Sequence, residues 1–244
     1  MNSGYYAACA GLQAQTQALE LIANNLANLS TTGYRAQQPL FRSSLESAES
    51  QLTNPLNRAV NDFNVLGGSQ IDLSAGTLVP TGNSLDLAIE GKGFFAVQTP
   101  AGTLYTRNGN FQVSRDGHLV TAAGDFVLGE QGPVIVPSGA VSISPDGTLS
   151  ANGAVADRLR VVDLAPGGVP VPVGKEYFSI PATALRPADG SHLRQGMLES
   201  SNVSSVTAIV DLITVERRAE MLEHAMSAFY SNFDHVAAND LPHV

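Results

Sequence analysis

The sequence predicts an α+β protein, in which long N- and C-terminal helices pair as a coiled coil and flank a central all-β domain. Residues 4 to 29 and 203 to 238 each carry apolar side chains at helical spacing. Between them, short alternating runs are separated by turn dipeptides, as in a sandwich or barrel. We expect four segments: an N-terminal helix (1–35), an extended connector (36–84), the β domain (85–195) and a C-terminal helix (196–244).

The N-terminal helix combines a heptad pattern with almost no charge, since Glu20 is the one charged residue between Met1 and Tyr34. Such a helix is poorly suited to a solvated surface, so we expect other helices to cover it on more than one side. Gly33 should close its C-terminus with a positive φ. The a and d positions hold two rows, Tyr5, Leu12, Leu19 and Leu26, and Ala8, Gln15, Ile22 and Leu29.

Three asparagines, Asn24, Asn25 and Asn28, lie on one side of this helix near its end. Asparagine has a low helix propensity, so three of them near one helix end suggest a specific structural role. Their amides could fix the register of an interface through hydrogen bonds across it. An ordinary polar face explains the spacing equally well, and both interpretations stay open.

Turn dipeptides organise the middle of the chain. In the connector, Asn54-Pro55 and Gly67-Gly68 mark turns between short strands at most. In the β domain, Asn108-Gly109 predicts a hairpin between residues 104–107 and 111–113. Further turns are expected at Asp116-Gly117, Gly124-Asp125 and Asp146-Gly147.

The C-terminal helix should start after Ser200-Ser201-Asn202, with Asn202 as the N-cap. The charged cluster Glu216-Arg217-Arg218 interrupts its apolar stripe, so that the helix either bends or buries two sides. We expect this stripe, the three asparagines and six residues of the N-terminal heptad rows to form the subunit interface. The six are Tyr5, Leu12, Leu19, Ile22, Leu26 and Leu29. The stripe includes Val206, Ile209, Val210, Ile213, Met221, Leu222, Phe229 and Phe233.

Composition excludes several classes of function. A net charge of −9 with two lysines argues against nucleic-acid binding, which needs a basic patch. No apolar run approaches the length of a membrane helix, and no basic, apolar signal segment opens the chain. Cys9 stands alone, so an intramolecular disulfide is impossible.

Motifs for catalysis, metals or cofactors are lacking. Gly91-Lys92-Gly93 lies between two predicted strands rather than before a helix, so it is a tight turn and not a dinucleotide site. No two histidines have the i, i+4 spacing of a helical zinc site. We therefore expect no cofactor and no enzymatic activity.

Several segments together resemble the flagellar basal-body rod and hook protein family. Asn24 to Arg35 (NNLANLSTTGYR) is similar to its N-terminal signature, and Thr81 to Phe95 (TGNSLDLAIEGKGFF) to its central motif. The segments 105–111, 116–121 and 196–203 follow in the family's order. The resemblance thus covers nearly the whole chain.

The resemblance implies an axial structural protein without catalysis, whose paired terminal helices form the inner layer of a tube. It implies contacts with copies of itself, with neighbouring rod proteins and with the flagellar type III export apparatus. It places the protein in the basal-body rod that crosses the periplasm, exported without a cleaved signal. Residues 129–137 and 216–221 favour a proximal-rod member, whereas residues 11–34 fit a distal-rod member equally well.

Two other classes remain open on the residues alone. A secreted binding module, such as an adhesin, would have a functional β domain and dispensable ends. A hydrolase would need a pocket with converging titratable groups, for which the spacing offers no candidate. Deleting residues 1–29 distinguishes them, because only an assembly protein should then lose its function.

Overall fold

The computed structural model describes residues 2–42, 65–174, 176–188 and 190–240; within them, it describes no side chains at 2–7, 41–42, 65–68 and 229–240. The described helices are α1 (Asn2–Ala27), α2 (Ser205–Asp240) and a short 3-10 helix (Ala182–Ala184). The described strands are β1 (Gln37–Arg42), β2 (Val65–Ile71), β3 (Leu78–Pro80), β4 (Leu87–Glu90), β5 (Phe94–Thr99), β6 (Gly102–Thr106), β7 (Phe111–Val113), β8 (Leu119–Thr121), β9 (Phe126–Val127), β10 (Val141–Ile143), β11 (Thr148–Ala151), β12 (Ala154–Arg158), β13 (Val161–Leu164), β14 (Val171–Val173), β15 (Tyr177–Ser179), β16 (Leu185–Pro187), β17 (His192–Gln195) and β18 (Met197–Glu199).

The chain divides into two compact units, whose boundaries differ from the four expected segments. The helical unit comprises Met1–Ala27, Gln37–Asp72 and Ser204–Val244. The β-rich unit comprises Asn28–Ala36 and Leu73–Val203. The end of the N-terminal signature therefore belongs to the β-rich unit, because its polar groups bond there rather than to the helices.

In the helical unit, α1 packs against α2 and against an antiparallel ribbon of β1 and β2. The ribbon corrects the expected turn at Gly67-Gly68, because both glycines lie inside β2. Leu40 pairs with Gly68 and Phe41 with Leu66, so the register shifts by one residue at Gly67. A bulge of this kind accommodates an unpaired residue, which glycine does without a side-chain clash.

The β-rich unit is built around its largest sheet. Among the described residues, nine strands form this sheet, seven of them in the order β14-β15-β6-β5-β9-β8-β7, while β13 pairs with β5 and with β16. Smaller sheets are β10-β11-β12, β4-β17 and β3-β18. The core contains buried apolar residues from many of these strands, including Leu87, Ile89, Phe95, Val97, Phe111, Leu119, Val127, Leu149 and Leu193.

The central strand β5 is buried on both faces, whereas its sequence suggested simple alternation. Phe94 to Val97 are all buried. Phe95 packs edge-on against Phe111 at 5.1 Å between ring centroids, and Phe94 packs against Phe178 at 5.4 Å. Neighbouring aromatic residues can both be buried here because successive side chains point to opposite faces of the strand.

The hairpin predicted at Asn108-Gly109 is wrong. β6 pairs with β5 and β15, and β7 pairs with β8, so the flanking strands do not pair with each other. A Cβ on Gly109 would lie 1.6 Å from the Leu87 carbonyl oxygen, so glycine allows a close backbone approach here. Asn108 instead bonds to neighbouring segments. Gly117, Gly124 and Gly147 have the positive φ values expected of the other predicted turns.

Both predicted helix ends need correction. α1 ends at Ala27, so Gly33, whose φ is +69°, lies beyond its C-terminal cap. α2 begins at Ser205, and Ser204 is its N-cap, because Ser204 Oγ accepts the Thr207 backbone N–H at 3.3 Å. Asn202 has other partners.

Candidate subunit interface

The face of α2 that packs within the helical unit follows a heptad repeat. Ala208, Val215 and Leu222 are each 8% exposed and lie seven residues apart. Val215 joins Ala18 and Ile22 of α1 in a buried cluster, against which Leu19 and Leu212 also pack. Ala208, Leu212 and Val215 are not among the predicted interface residues, because α2 carries two apolar stripes and the prediction followed the other one.

Apart from Ile22, the most buried apolar residues of α1 are small. Ala8, Ala14 and Ala18 are no more than 4% exposed, and Ile22 is 5% exposed. The predicted core residues Leu12, Leu19, Leu26 and Leu29 are only half-buried. Small residues allow close helix contact, and the leucines at the edges of that contact keep part of their apolar surface uncovered in the isolated chain.

Five of the predicted interface residues on α2 are exposed. The first four, at i, i+3, i+4 and i+7, lie roughly 100 to 200° around the helix from Ala208, at about 100° per residue. They therefore form an apolar stripe facing away from the contact with α1. The exposed fractions are 72% for Val206, 46% for Ile209, 56% for Val210, 44% for Ile213 and 63% for Met221.

The other predicted interface residues differ in burial. Leu222 is buried, and its heptad spacing from Val215 places it on the face of α2 that packs against α1. Phe229 and Phe233 lie in α2 and Tyr5 lies in α1, but their side chains are outside the described residues.

The three asparagines have different surroundings. Asn25 is buried and bonds twice to the backbone of Gln37 at the start of β1: its Nδ2 donates to the Gln37 carbonyl at 2.7 Å, and its Oδ1 accepts the Gln37 N–H at 2.9 Å. Asn28 is also buried, and its Oδ1 accepts the Thr31 hydroxyl at 3.1 Å. Asn24 is exposed. At Asn25 and Asn28, these hydrogen bonds are made within the chain.

A buried ion cluster that no local sequence pattern indicated lies in the β-rich unit. Arg35 Nη2 donates to Glu199 Oε1 at 2.7 Å, with the two side chains 1% and 0% exposed. Arg107 Nη1 lies 3.4 Å from Glu199 Oε2. The backbone N–H of Gly76 also donates to Glu199 Oε1, at 2.8 Å. One carboxylate thus joins three segments that are far apart in the sequence.

Arg107 is held by further contacts. Its Nη2 donates to the Gly91 carbonyl at 2.6 Å and its Nη1 to the Ile89 carbonyl at 3.2 Å. Its guanidinium also lies 5.6 Å from the centre of the Phe94 ring. Burial lowers the pKa of Arg107 to about 10, with Glu199 opposing that shift, so the side chain stays charged at neutral pH.

Gly33 brings the signature segment against the loop after β6. A Cβ on Gly33 would lie 2.4 Å from the Arg107 carbonyl carbon and 2.4 Å from the Asn108 nitrogen. The neighbouring Thr32 hydroxyl donates to Asn108 Oδ1 at 2.7 Å, and Asn108 Nδ2 donates to Glu176 Oε2 at 2.9 Å. Glycine is required here by both the positive φ and the backbone contact.

A groove of about 680 Å³ in the β-rich unit does not have the features of an active site. Of its carboxylates, Glu130 pairs with Arg158 at 3.3 Å, and Asp146 accepts the hydroxyl and N–H of Thr148. The bonds from Thr148 lower the pKa of Asp146, which favours its ionised form rather than a general acid. In the part of the chain that the structure describes, no three metal-ligating side chains cluster and no helix could span a membrane.

Three family descriptions match this chain in the expected order. "Flagella basal body rod protein" matches residues 6–35, "Flagellar hook protein FlgE/F/G D1 domain" matches residues 88–151, and "Flagellar basal body rod FlgEFG protein C-terminal" matches residues 194–235. The first covers most of α1 and the signature segment, the second covers β4 to β11, and the third includes β18 and most of α2.

Whole-chain relatives agree with these matches. Flagellar basal-body rod protein FlgG of Agrobacterium fabrum is 34% identical over 239 residues, which cover 88% of this chain and 90% of the relative. The chain belongs to the flagellar basal-body rod protein family. Flagellar basal-body rod protein FlgF is also similar to this rod protein. The FlgF of Caulobacter vibrioides is 32% identical, with 93% of each chain covered, and that of Escherichia coli is 32% identical, with 95% of this chain and 96% of the relative covered.

Membership of this family indicates the class of function. The rod protein is a structural subunit of the flagellar basal-body rod and assembles with other rod proteins; it is not an enzyme. Relatives named FlgF and FlgG match with nearly equal identity, so these similarities support both members.

Proposed function

We propose that this rod protein polymerises through its terminal helices into the axial shaft that transmits torque. Within one chain, α1 and α2 would pair as a coiled coil through Ile22 of α1 and Val215 of α2. The heptad spacing of Ala208, Val215 and Leu222 supports this geometry. Neighbouring subunits would then cover the remaining apolar surface of both helices.

The observation that carries this proposal is the exposed apolar stripe of α2. Fully burying an aliphatic side chain contributes about 1.5–3 kcal/mol, so covering the exposed halves of Val206, Val210 and Ile213 contributes several kcal/mol, before the cost of ordering. The half-buried Leu12, Leu19 and Leu26 of α1 would add to this contact. A head-to-tail contact that does not close into a ring yields an open helical filament.

The asparagines support intersubunit contacts less directly. Asn25 and Asn28 bond within the chain and so shape the end of α1 rather than presenting free amides. Asn24 is the exposed member of the set and is the one we propose for the interface. We also propose that Tyr5, Leu29, Met221, Phe229 and Phe233 contribute to it.

The domain roles follow from this assembly. We propose that the terminal helices form the inner layer of the rod and that the β-rich unit forms its outer part. The rod would cross the periplasm, and its subunits would reach it through the type III export apparatus without a cleaved signal. Among the rod members, we favour the proximal one on residues 129–137 and 216–221, with the distal one as the alternative.

A matched pair of variants tests the helix interface. Val206 and Val155 are 72% and 73% exposed, but Val206 lies on α2 and Val155 lies on β12 of the β-rich unit. Val206→Asp should leave the isolated protein folded and abolish incorporation into rods and motility, whereas Val155→Asp should leave motility normal. Normal rods with Val206→Asp, alone or combined with Ile213→Asp, would contradict the proposal.

A further inference from the structure

The two segments that connect the helices to the β-rich unit lie side by side in that unit. The Gly33 N–H donates to the Glu199 carbonyl at 2.8 Å, and the Asn202 N–H donates to the Tyr34 carbonyl at 3.4 Å. The Asn202 side chain adds a third bond, because its Oδ1 accepts the Ala36 N–H at 2.7 Å. The chain leaving α1 is thus bonded directly to the chain that enters α2.

Side-chain contacts fix this pair of segments to the rest of the β-rich unit. The buried Arg35–Glu199 ion pair crosses from one segment to the other, and Arg107 contacts the same carboxylate. Asn202 Nδ2 donates to the Ser74 carbonyl at 3.0 Å. None of these contacts involves a residue of α1 or α2, so the pairing does not require the helices to be folded.

We propose that residues 28–36 and 198–203 form a tether that raises the effective concentration of α1 and α2 for each other. With the tether formed, the free chain between the helices is short on both sides. Without it, and with the β1–β2 ribbon unpaired, the shortest chain path from α1 to α2 runs through residues 28–77 to β3, which pairs with β18. Shortening a loop from about fifty residues to about twelve lowers the entropic cost of closing it, which should favour helix pairing roughly ten-fold.

The tether explains a feature of the signature that helix formation does not. Gly33 lies beyond the end of α1, yet both its φ of +69° and the adjacent Arg107-Asn108 backbone require glycine. A helix stop would account for a positive φ but not for the close approach to the Arg107-Asn108 backbone. The residue therefore serves the docking of the segment in the β-rich unit.

Disulfide formation measures this effective concentration in the full-length protein. Cysteines at Ala18→Cys and Val215→Cys, in a Cys9→Ser background, replace two residues of one buried cluster of α1 and α2. The thiol–disulfide equilibrium of these two cysteines is measured against a glutathione redox buffer. The urea concentration is chosen to unfold the helices but not the β-rich unit, and the equilibrium constant then gives the effective concentration of one thiol for the other. We expect Gly33→Ala and Asn202→Ala each to lower the effective concentration, by roughly ten-fold where the tether is lost.

Gly82→Ala is the matched control. Gly82 has a φ of +75°, close to that of Gly33, but a Cβ there meets nothing within 4 Å. It should leave the effective concentration unchanged. If Gly33→Ala and Asn202→Ala both match the wild-type value while circular dichroism shows the β-rich unit folded, the tether is wrong.

The inference concerns helix pairing within one chain and does not depend on the proposed assembly. Val206→Asp lies on the side of α2 facing away from α1 and should therefore retain the wild-type effective concentration even where rods fail to form. A tether variant with low effective concentration and a Val206→Asp protein with normal motility would together retain the tether and reject the interface.

Discussion

Arg35 and Glu199 form a fully buried ion pair, 2.7 Å between Nη2 and Oε1, across 164 residues of sequence. Arg35 lies in the segment after α1, and Glu199 ends β18 shortly before α2. The contact therefore joins the two ends of the β-rich unit.

Replacing Glu199 with glutamine should strongly destabilise the β-rich unit. The change leaves Arg35 and Arg107 buried without their shared carboxylate, and removing one partner of a buried pair costs about 3–5 kcal/mol. Urea unfolding followed by near-ultraviolet circular dichroism measures it. Glu90→Gln, which disrupts the exposed pair with Arg194, should hardly move the midpoint. Equal midpoints for both variants would show that the buried cluster contributes little.

Replacing Asn25 with alanine should loosen the start of β1. The change removes both bonds to the half-buried Gln37 backbone, which should cost about 1 kcal/mol, the low end of the range for unpaired buried groups. Hydrogen exchange at the Gln37 amide should accelerate in this variant. Gln13→Ala, at an exposed position of the same helix, is the control and should leave that amide protected. Unchanged protection in Asn25→Ala would reject the proposed role of the amide.

Ser204 and Asn202 should behave differently when replaced by alanine. Ser204→Ala removes the N-cap of α2 and should cost about 1 kcal/mol of helix stability, because the Thr207 N–H loses its acceptor. Asn202→Ala should instead affect the β-rich unit, where its side chain bonds to Ala36 and Ser74. Hydrogen exchange at the Thr207 amide separates the two effects, because only loss of the cap removes the acceptor of that N–H. Faster exchange at Thr207 in Asn202→Ala than in Ser204→Ala would restore Asn202 as the cap.

Tyr177 should make stability decline at high pH. Burial raises the pKa of its phenol to about 12 in the folded protein, above the value of about 10 of an unfolded tyrosine. The neutral phenol also donates to Asp125 at 2.7 Å. The contribution of this pKa shift to the free energy of unfolding is complete below pH 10. It is lost as the pH rises towards 12, because the phenol of the unfolded chain releases its proton at a lower pH than that of the folded protein.

Titration of phenolate absorbance tests this shift directly. Tyr177→Phe should remove one tyrosine that ionises near pH 12, and the free energy of unfolding should then fall less steeply between pH 10 and 12. If the lost tyrosine ionises near pH 10, burial does not control it.

Local patterns predicted the elements well where local energetics decide them. The α1 and α2 periodicities, and the turns at Gly117, Gly124 and Gly147, follow from helix spacing and from the conformational freedom of glycine. Asn108-Gly109 had the same turn chemistry, but long-range contacts overrode it. The Leu87 backbone requires a glycine at position 109, and Asn108 bonds to Thr32 and Glu176, which no local pattern reveals.

The subunit interface stays a prediction, and the choice between the two sides of α2 also depended on long-range contacts. The sequence indicated which α2 residues are apolar, but it could not decide which of two stripes meets α1. The structure places Ala208 and Val215 on the buried side of α2 and leaves Val206 and Ile213 exposed, although Val206 and Val215 are the same residue type. Packing distance between helices depends on both partners, and one helix alone does not contain that information.

The sequence by itself determined the α+β class, the low charge of the N-terminal helix, the absence of recognisable catalytic motifs and the family resemblance. These depend on composition, on short-range periodicity and on ordered motifs, all of which are local properties. Only the tertiary structure decided that Arg35, Arg107 and Glu199 share one buried site, and that Gly33 serves the β-rich unit rather than the helix. Those relationships arise only when distant segments come together in the fold, because a buried charge is stable only beside a group that pairs with it.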